Sequence, residues 1–327
     1  MAQAWQVKGE SGSTLVETMV SLALMLVVSG GVMEGILRFS RTQNLVFSRS
    51  AMHDGVRSAT ELLQQEVGQA GSVSVPAGTT LTSVVSAPGV ATVNVSSATG
   101  MFVGERLVVD AGSQEETVDV TAVTAGTPGS FTGSFAMTHA ANSPVTVRGG
   151  FATGIVPCAS AAACPGSSVS TTYTNGSTGY LLKLYGDIND NRQMVYIEYQ
   201  CDIDHGVLYR NVIDGAVVTG TPPTKSAPGA TQVLLDNLTD PATGRVPCFT
   251  YQQKSVGSLT FVVNVAISLT TMTQTPDRVA GIQRETKSLL NVAPRNVFNA
   301  WLLAGMGSFQ RVQPVPPSIT SLLPSPH

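Results

Sequence analysis

Gly12-Ser13-Thr14-Leu15-Val16-Glu17 is followed by an apolar run from Thr18 to Met33, and these residues decide the architecture. At a rise of about 1.5 Å per residue, roughly 20 residues of helix cross the hydrocarbon of a bilayer, so the run is long enough for a membrane span. Glu17 is the only charged residue in this apolar segment. An unpaired carboxylate in hydrocarbon is costly, so Glu17 requires either a partner or a function.

The position of a possible cleavage site sets this segment apart from an ordinary secretory signal. A secretory signal peptide carries its small-residue cleavage site after the apolar stretch, whereas here the glycine-before-small step, Gly12–Ser13, lies before it. Cutting at that step would leave the apolar segment as the new amino terminus. The alternative is an ordinary amino-terminal membrane anchor with Glu17 at the membrane interface.

Residues 12–17 resemble the class III signal of type IV pilins and pseudopilins, in which cleavage after a glycine leaves an apolar stretch with glutamate at its fifth position. Glu17 is the fifth residue counted from Ser13. Ser13 itself stands where the family usually has phenylalanine or methionine, and the leader, residues 1–12, is only weakly basic. The resemblance implies that prepilin peptidase cuts Gly12–Ser13 and methylates the new amine. It also implies that Glu17 pairs with the amino-terminal amine of an adjacent subunit during assembly.

The apolar segment continues into an amphipathic one, and residues 13–71 are predicted to form a single long helix. After Arg38 and Arg41, apolar residues recur at helical spacing, which predicts one buried face against a soluble domain. These residues are Met52, Val56, Ala59, Leu63 and Val67. Gly68 and Gly71 are expected to end the helix.

The end of the predicted helix strengthens the resemblance. Residues 61–71, Glu-Leu-Leu-Gln-Gln-Glu-Val-Gly-Gln-Ala-Gly, are similar to the helix end of PilW-type minor pilins and of the related J-type pseudopilins. Val67-Gly68 stands where those proteins commonly have Leu-Arg. The resemblance implies an α+β, type IV pilin-like fold, in which a long amino-terminal helix, membrane-spanning in its first half, packs on an antiparallel β-sheet head.

Composition divides the remainder of the chain into three parts. Residues 75–148 hold short alternating apolar runs between glycines, which predicts a small all-β module, and we interpret this module as an insertion in the head. Residues 149–300 hold longer strand patterns and form the predicted head. Residues 301–327 are rich in proline, which removes strand donors and blocks helix, so we expect a disordered or loosely docked end.

The four cysteines, Cys158, Cys164, Cys201 and Cys248, all follow the apolar segment. An even number of cysteines in an exported region indicates two disulfides. A zinc site is the weaker interpretation, because Cys158 and Cys164 are six residues apart, wider than the usual zinc pair spacing. Four cysteines allow three pairings. We expect Cys158–Cys164 to close a small loop and Cys201–Cys248 to join two strands.

A polar turn at residues 187–192 is the one candidate metal site. Asp187, Asn189 and Asn191 place oxygen side chains at alternate positions, as in a calcium-binding loop. Two facts count against an EF-hand: Arg192 stands where the sharp turn requires glycine, and the flanking segments are predicted strands. The open alternatives are a calcium ion held by the turn itself and an ordinary hairpin turn, in which Asp and Asn are common for local hydrogen-bonding reasons.

Charged residues make up only 12% of the chain and the net charge is −3, so no nucleic-acid partner is expected. Neither a Walker-type phosphate loop nor a Gly-x-Ser-x-Gly elbow is present, and we expect no enzymatic activity. The resemblance implies a minor pilin or pseudopilin of the bacterial inner membrane, with an exported head. Such a protein takes part in the assembly or priming of a type IV pilus or a type II secretion pseudopilus, and its helix contacts the other pilins. The alternative is a membrane-anchored surface protein that uses the β module as an adhesin or ligand-binding unit.

Overall fold

The computed structural model describes residues 14–158, 164, 175–217, 224–225, 232–241, 244–273 and 281–323. The predicted cleavage step, Gly12–Ser13, lies outside the described residues. The described chain is α+β, with one long amino-terminal helix and several antiparallel sheets, as expected. Its α-helices are α1 (Leu15–Gln69), α2 (Arg295–Gly305) and α3 (Pro317–Leu322).

α1 is one continuous helix of 55 residues, about 80 Å long at 1.5 Å per residue. Thr14 caps its start, where the Thr14 hydroxyl accepts a hydrogen bond (3.4 Å) from the Glu17 backbone N–H. The second half packs on the head and buries most of the predicted stripe. The buried members are Val56, Ala59, Leu63 and Val67, and Met52 is half-buried.

The helix ends where Gly71 turns the chain toward the β module. Gly71 has a φ of +81°, and a Cβ added there would lie 2.8 Å from Val297 Cγ2, so both the backbone conformation and the available space require glycine. The Gly71 N–H donates to the Tyr185 carbonyl (2.9 Å), which ties the end of α1 to the head.

Two antiparallel sheets form the head, with strand orders β10-β9-β8-β7 and β11-β12-β13. The strands are β7 (Leu181–Gly186), β8 (Val195–Asp202), β9 (Val207–Ile213), β10 (Gln232–Leu235), β11 (Phe249–Val256), β12 (Leu259–Met272) and β13 (Arg284–Val292). α1 contacts β10, β12 and β13. The buried residues of α1 share one apolar core with Leu184, Tyr199 and Ile267, so the helix and both sheets are packed around the same interior.

The structure contains two disulfides, Cys158–Cys164 and Cys201–Cys248, with Cα–Cα distances of 6.0 and 6.5 Å. This is the pairing expected from the sequence. Cys201 lies in β8 and Cys248 directly precedes β11, so their bond joins the two sheets of the head. The two cysteines are 47 residues apart, a separation for which loop entropy predicts a stabilisation of about 4 kcal/mol.

The β module is a five-stranded antiparallel sheet of order β1-β4-β3-β2-β5. Its strands are β1 (Gly89–Val95), β2 (Arg106–Val109), β3 (Glu116–Thr124), β4 (Gly129–Phe135) and β5 (Val145–Val147). The module has an apolar core of its own, which includes Val93, Leu107 and Phe131. Ser72 and Gly150 form an antiparallel bridge, so the chain leaves the head and returns to it side by side, the geometry of an insertion.

The expectation of a disordered or loosely docked tail is wrong for the residues that the structure describes, which end at Leu323. α2 runs across the predicted boundary at residue 300. Val312–Gln313 form β14, which pairs in parallel with β6 (Gly150–Phe151), and α3 buries Ile319 and Leu322. The prolines are accommodated because Pro317 is the first residue of α3, where a helix has no use for a backbone N–H.

Candidate functional site

The amino-terminal half of α1 projects from the head without cover. Every residue from Thr14 to Asn44 is exposed. An 18-residue window of this helix has a mean hydropathy of 2.0, and Leu26 and Val27 are 70% and 74% exposed. Among the described residues, α1 is the one helix long and apolar enough to cross a membrane. An apolar surface of this size requires lipid or another protein to cover it, which fits a membrane anchor.

Glu17 lies in the first turn of α1, at the exposed end of this apolar surface. The helix amino terminus favours a carboxylate there, because the unpaired backbone N–H groups carry partial positive charge. Among the described residues, the Glu17 carboxylate has neither a hydrogen-bond nor an ion-pair partner. The partner expected from the resemblance belongs to another subunit, so the pairing stays a prediction.

After Glu17, the next charged residue of α1 is Glu34, which marks the end of the apolar stretch. Arg38 lies one turn further along, and its Nε donates to Glu34 Oε1 (3.1 Å). The stretch from Leu15 to Met33 spans about 27 Å at 1.5 Å per residue, close to the roughly 30 Å of a bilayer's hydrocarbon. Three glycines near this end have no atom within 4 Å of their Cβ positions, which leaves the backbone open to close approach by another helix. They are Gly30, Gly31 and Gly35.

A buried ion pair fastens the other half of α1 to the head. Glu66 is 3% exposed and accepts hydrogen bonds from the Tyr199 hydroxyl and from Arg210, whose Nε lies 3.3 Å from Glu66 Oε2. Burial alone lowers the pKa of Arg210, but Glu66 outweighs burial and the net pKa is raised. Burial and then the Glu66 carboxylate raise the pKa of Tyr199. The sequence analysis missed this pair, since a glutamate in an amphipathic helix normally faces solvent.

The β module encloses a buried histidine between two carboxylates. The His139 side chain is fully buried, with Nδ1 3.1 Å from Asp110 Oδ2 and Nε2 2.6 Å from Glu116 Oε1. Hydrogen bonds from His139 and then from Ser143 lower the pKa of Asp110. Each ring nitrogen therefore lies within hydrogen-bond distance of a carboxylate oxygen. Through these contacts the ring links three segments of the module.

The base of the β module contains a buried carboxyl group, Glu105. Glu105 is 0% exposed, and its Oε2 accepts a hydrogen bond from the Phe102 N–H (3.3 Å). Its Oε1 has no hydrogen-bond partner within the described residues. Burial, opposed only by the Phe102 N–H, raises the pKa of Glu105 to about 8. The carboxyl is therefore largely protonated in the folded chain at pH 7.

Asp187, Asn189 and Asn191 form the expected tight turn after β7. Asp187 is buried; its Oδ1 accepts from the Asn191 N–H (3.1 Å) and its Oδ2 from the Ser74 hydroxyl (2.7 Å). Asn189 lies at the exposed tip. A calcium ion would have to replace the donors on Asp187, and the described residues contain no group of three or more His, Cys, Asp or Glu side chains suited to a metal. The geometry gives Asp187 a structural role, and calcium binding stays a prediction.

The candidate site therefore consists of the exposed apolar half of α1, the Glu17 carboxylate near its start, and the buried Glu66–Arg210 pair that joins the helix to the head. Comparisons of the chain with protein families, with curated proteins and with solved structures gave no match.

Proposed function

We propose that this chain is a minor pilin or pseudopilin, a single-pass subunit that assembles with other pilins through its projecting helix into a type IV pilus or a type II secretion pseudopilus. One observation carries the proposal. The Gly12–Ser13 step lies directly before a long helix that has Glu17, the fifth residue from Ser13, in its first turn. This helix is exposed and uncharged from Thr18 to Met33, and its second half carries a folded head. Such a helix can lie in lipid before assembly and against other helices afterwards, and both surroundings cover its apolar surface.

The charge of Glu17 supports the same proposal. Cleavage at Gly12–Ser13 creates one new cation, the amine of Ser13, at the same end of the helix as Glu17. Each of these groups loses hydration when it is buried alone, and an ion pair between neighbouring subunits offsets that cost. Assembly would therefore be favoured by a pair that a single subunit in the membrane lacks.

The size of the head favours a minor subunit over a major one. The inserted β module adds a five-stranded sheet to a head that already has two sheets. A head of this bulk packs poorly in a regularly repeating filament, whereas a subunit present in few copies meets no such restriction.

Processing is the first test of the proposal. When the chain is produced in a bacterium that has a prepilin peptidase, mass spectrometry of the membrane fraction should find a polypeptide that begins at Ser13 with a methylated amine. The same chain in a host without that peptidase should retain Met1. A chain that still starts at Met1 in the first host, or one cut after Gly30 or Gly31, would contradict the proposal and favour the membrane-anchored surface protein.

The second test separates assembly from insertion. Glu17→Ala should still insert, be cleaved and fold, because alanine makes the segment more apolar, but it should fail to co-purify with partner pilins. The matched control is Glu61→Ala, which removes an exposed carboxylate from the same helix. Incorporation of Glu17→Ala equal to that of Glu61→Ala and of the wild type would show that Glu17 does not direct assembly.

A further inference from the structure

A carboxyl-terminal strap, defined here as residues 309–323, contacts both the β module and the head. On the module side the buried side chain of Gln313 bridges two strands. Its Oε1 accepts from the Arg106 N–H (2.9 Å), and its Nε2 donates to the carbonyls of Arg106 (2.9 Å) and Arg148 (3.1 Å). Arg106 begins β2 and Arg148 follows β5, so one amide side chain closes the base of the module.

The backbone of the strap adds to this contact. Val312 and Gln313 pair in parallel with Gly150 and Phe151, where the chain returns from the module to the head. Arg106 Nη1 donates to the Val312 carbonyl at 2.6 Å, and it also donates to the Phe309 carbonyl. The strap thus satisfies both backbone and side-chain groups at the base of the module.

The other end of the strap is anchored in the head. Ile319 and Leu322 of α3 belong to one apolar cluster with Tyr196 of β8 and with Phe102, at the base of the module. Tyr199 of the same strand belongs instead to the core that contains α1, so the strap covers the opposite face of the head sheet. The Lys183 ammonium, which is fully buried, donates to the Leu323 carbonyl (2.6 Å).

We infer that the strap fixes the orientation of the β module on the head. The module folds around its own core and is joined to the head by two chain connections that lie side by side at Ser72 and Gly150. Beside them Phe102, at the base of the module, packs on Phe151, with ring centroids 5.9 Å apart. Two neighbouring connections permit a hinge motion, as between domains with a small interface. The strap adds the buried hydrogen bonds of Gln313 at the base of the module and the apolar contacts of Ile319 and Leu322 in the head, and together these hold the insertion against such a hinge motion. This inference does not depend on the proposed pilin function.

The test measures a distance between the module and the head in the full-length chain in detergent, with both disulfides intact. Spin labels are placed on cysteines introduced at Thr121, in the module, and Lys254, in the head, both exposed. Gln313→Ala should broaden the distance distribution and speed hydrogen exchange of the Arg106 amide about tenfold, equivalent to roughly 1.4 kcal/mol of local stability. Gln310→Ala is the matched control, because Gln310 is exposed on the same strap.

A second variant acts on the other end of the strap. Ile319→Ala removes apolar contact with the head and leaves the Gln313 bridge in place, and it should also broaden the distribution. In both variants the amides of β3 and β4 should keep their protection. A distribution as narrow as that of Gln310→Ala in both variants would overturn the inference. Loss of protection throughout β3 and β4 would also overturn it, because the strap would then be part of the module's own fold.

Discussion

Glu66→Ala is expected to destabilise the head by about 3 kcal/mol, the lower end of the range for removing one partner of a buried ion pair. The substitution leaves the Arg210 guanidinium and the Tyr199 hydroxyl without their acceptor at the interface between α1 and the head sheet. Arg210 keeps partial access to solvent, which limits the loss. The measurement is urea denaturation of the full-length chain in detergent, followed through hydrogen exchange of the β8 amides.

Glu61→Ala serves as the control for Glu66→Ala. Glu61 lies five residues earlier on α1 and pairs with Arg57 on the exposed side of the helix. Exposed pairs of this kind contribute little to stability, because water and salt screen the two charges. Equal losses of stability in the two variants would show that the buried pair does not hold the helix to the head.

The β module should become more stable at neutral pH when Glu105 is replaced by glutamine. The pKa of Glu105 is raised from 4.5 to about 8, so the folded chain binds a proton that the unfolded chain has released. The contribution of Glu105 to the stability of the wild-type module is therefore greatest below pH 4.5, falls as the pH rises toward 8, and is constant above that value. At about 1.4 kcal/mol per pH unit, the loss by pH 7 is about 3 kcal/mol.

Glutamine has the shape of the protonated carboxyl and carries no charge to desolvate, so Glu105→Gln should remove this loss. Denaturation of the wild type and the variant at pH 5 and pH 8, followed through the amides of β3 and β4, measures the difference. Glu61→Gln, which changes an exposed carboxyl, should retain the pH dependence of the wild type. The explanation fails if wild type and Glu105→Gln lose the same stability between the two pH values.

The parts of the fold that sequence analysis predicts are those governed by a repeating pattern. α1 is recognised because its apolar residues first fill a membrane length and then recur at helical spacing, and the strands at the centre of the head are recognised from long apolar runs. The disulfides follow from the number of cysteines and their position beyond the apolar segment. Each of these signals lies within one segment of the chain.

The parts that were missed depend on contacts between distant segments. The sequence of β4, Gly-Ser-Phe-Thr-Gly-Ser-Phe, has the composition of a flexible linker, but Phe131 and Phe135 are buried in the module core. Gly133 is required by close packing, because a Cβ there would lie 2.3 Å from Val118 Cγ1. The proline content of the tail predicted disorder. Its docking could not be foreseen, because the apolar cluster that receives Ile319 is assembled from four separate stretches of the chain. The ion pair of Glu66 was missed for the same reason, because its partner Arg210 lies 144 residues away in the sequence.

The bridge between Ser72 and Gly150 has a consequence for how this protein can diversify. Because the ends of the insertion meet at one point, the whole segment between them can lengthen, shorten or be exchanged without displacing either end in the head. The sheet β1–β5 is then an exchangeable unit, provided that a replacement supplies the backbone groups that Arg106 and Arg148 present to Gln313 and the apolar contact that Phe102 makes with the head. The same property makes this the place to graft a foreign domain, because the anchor helix and the disulfide-linked head lie outside the exchanged segment.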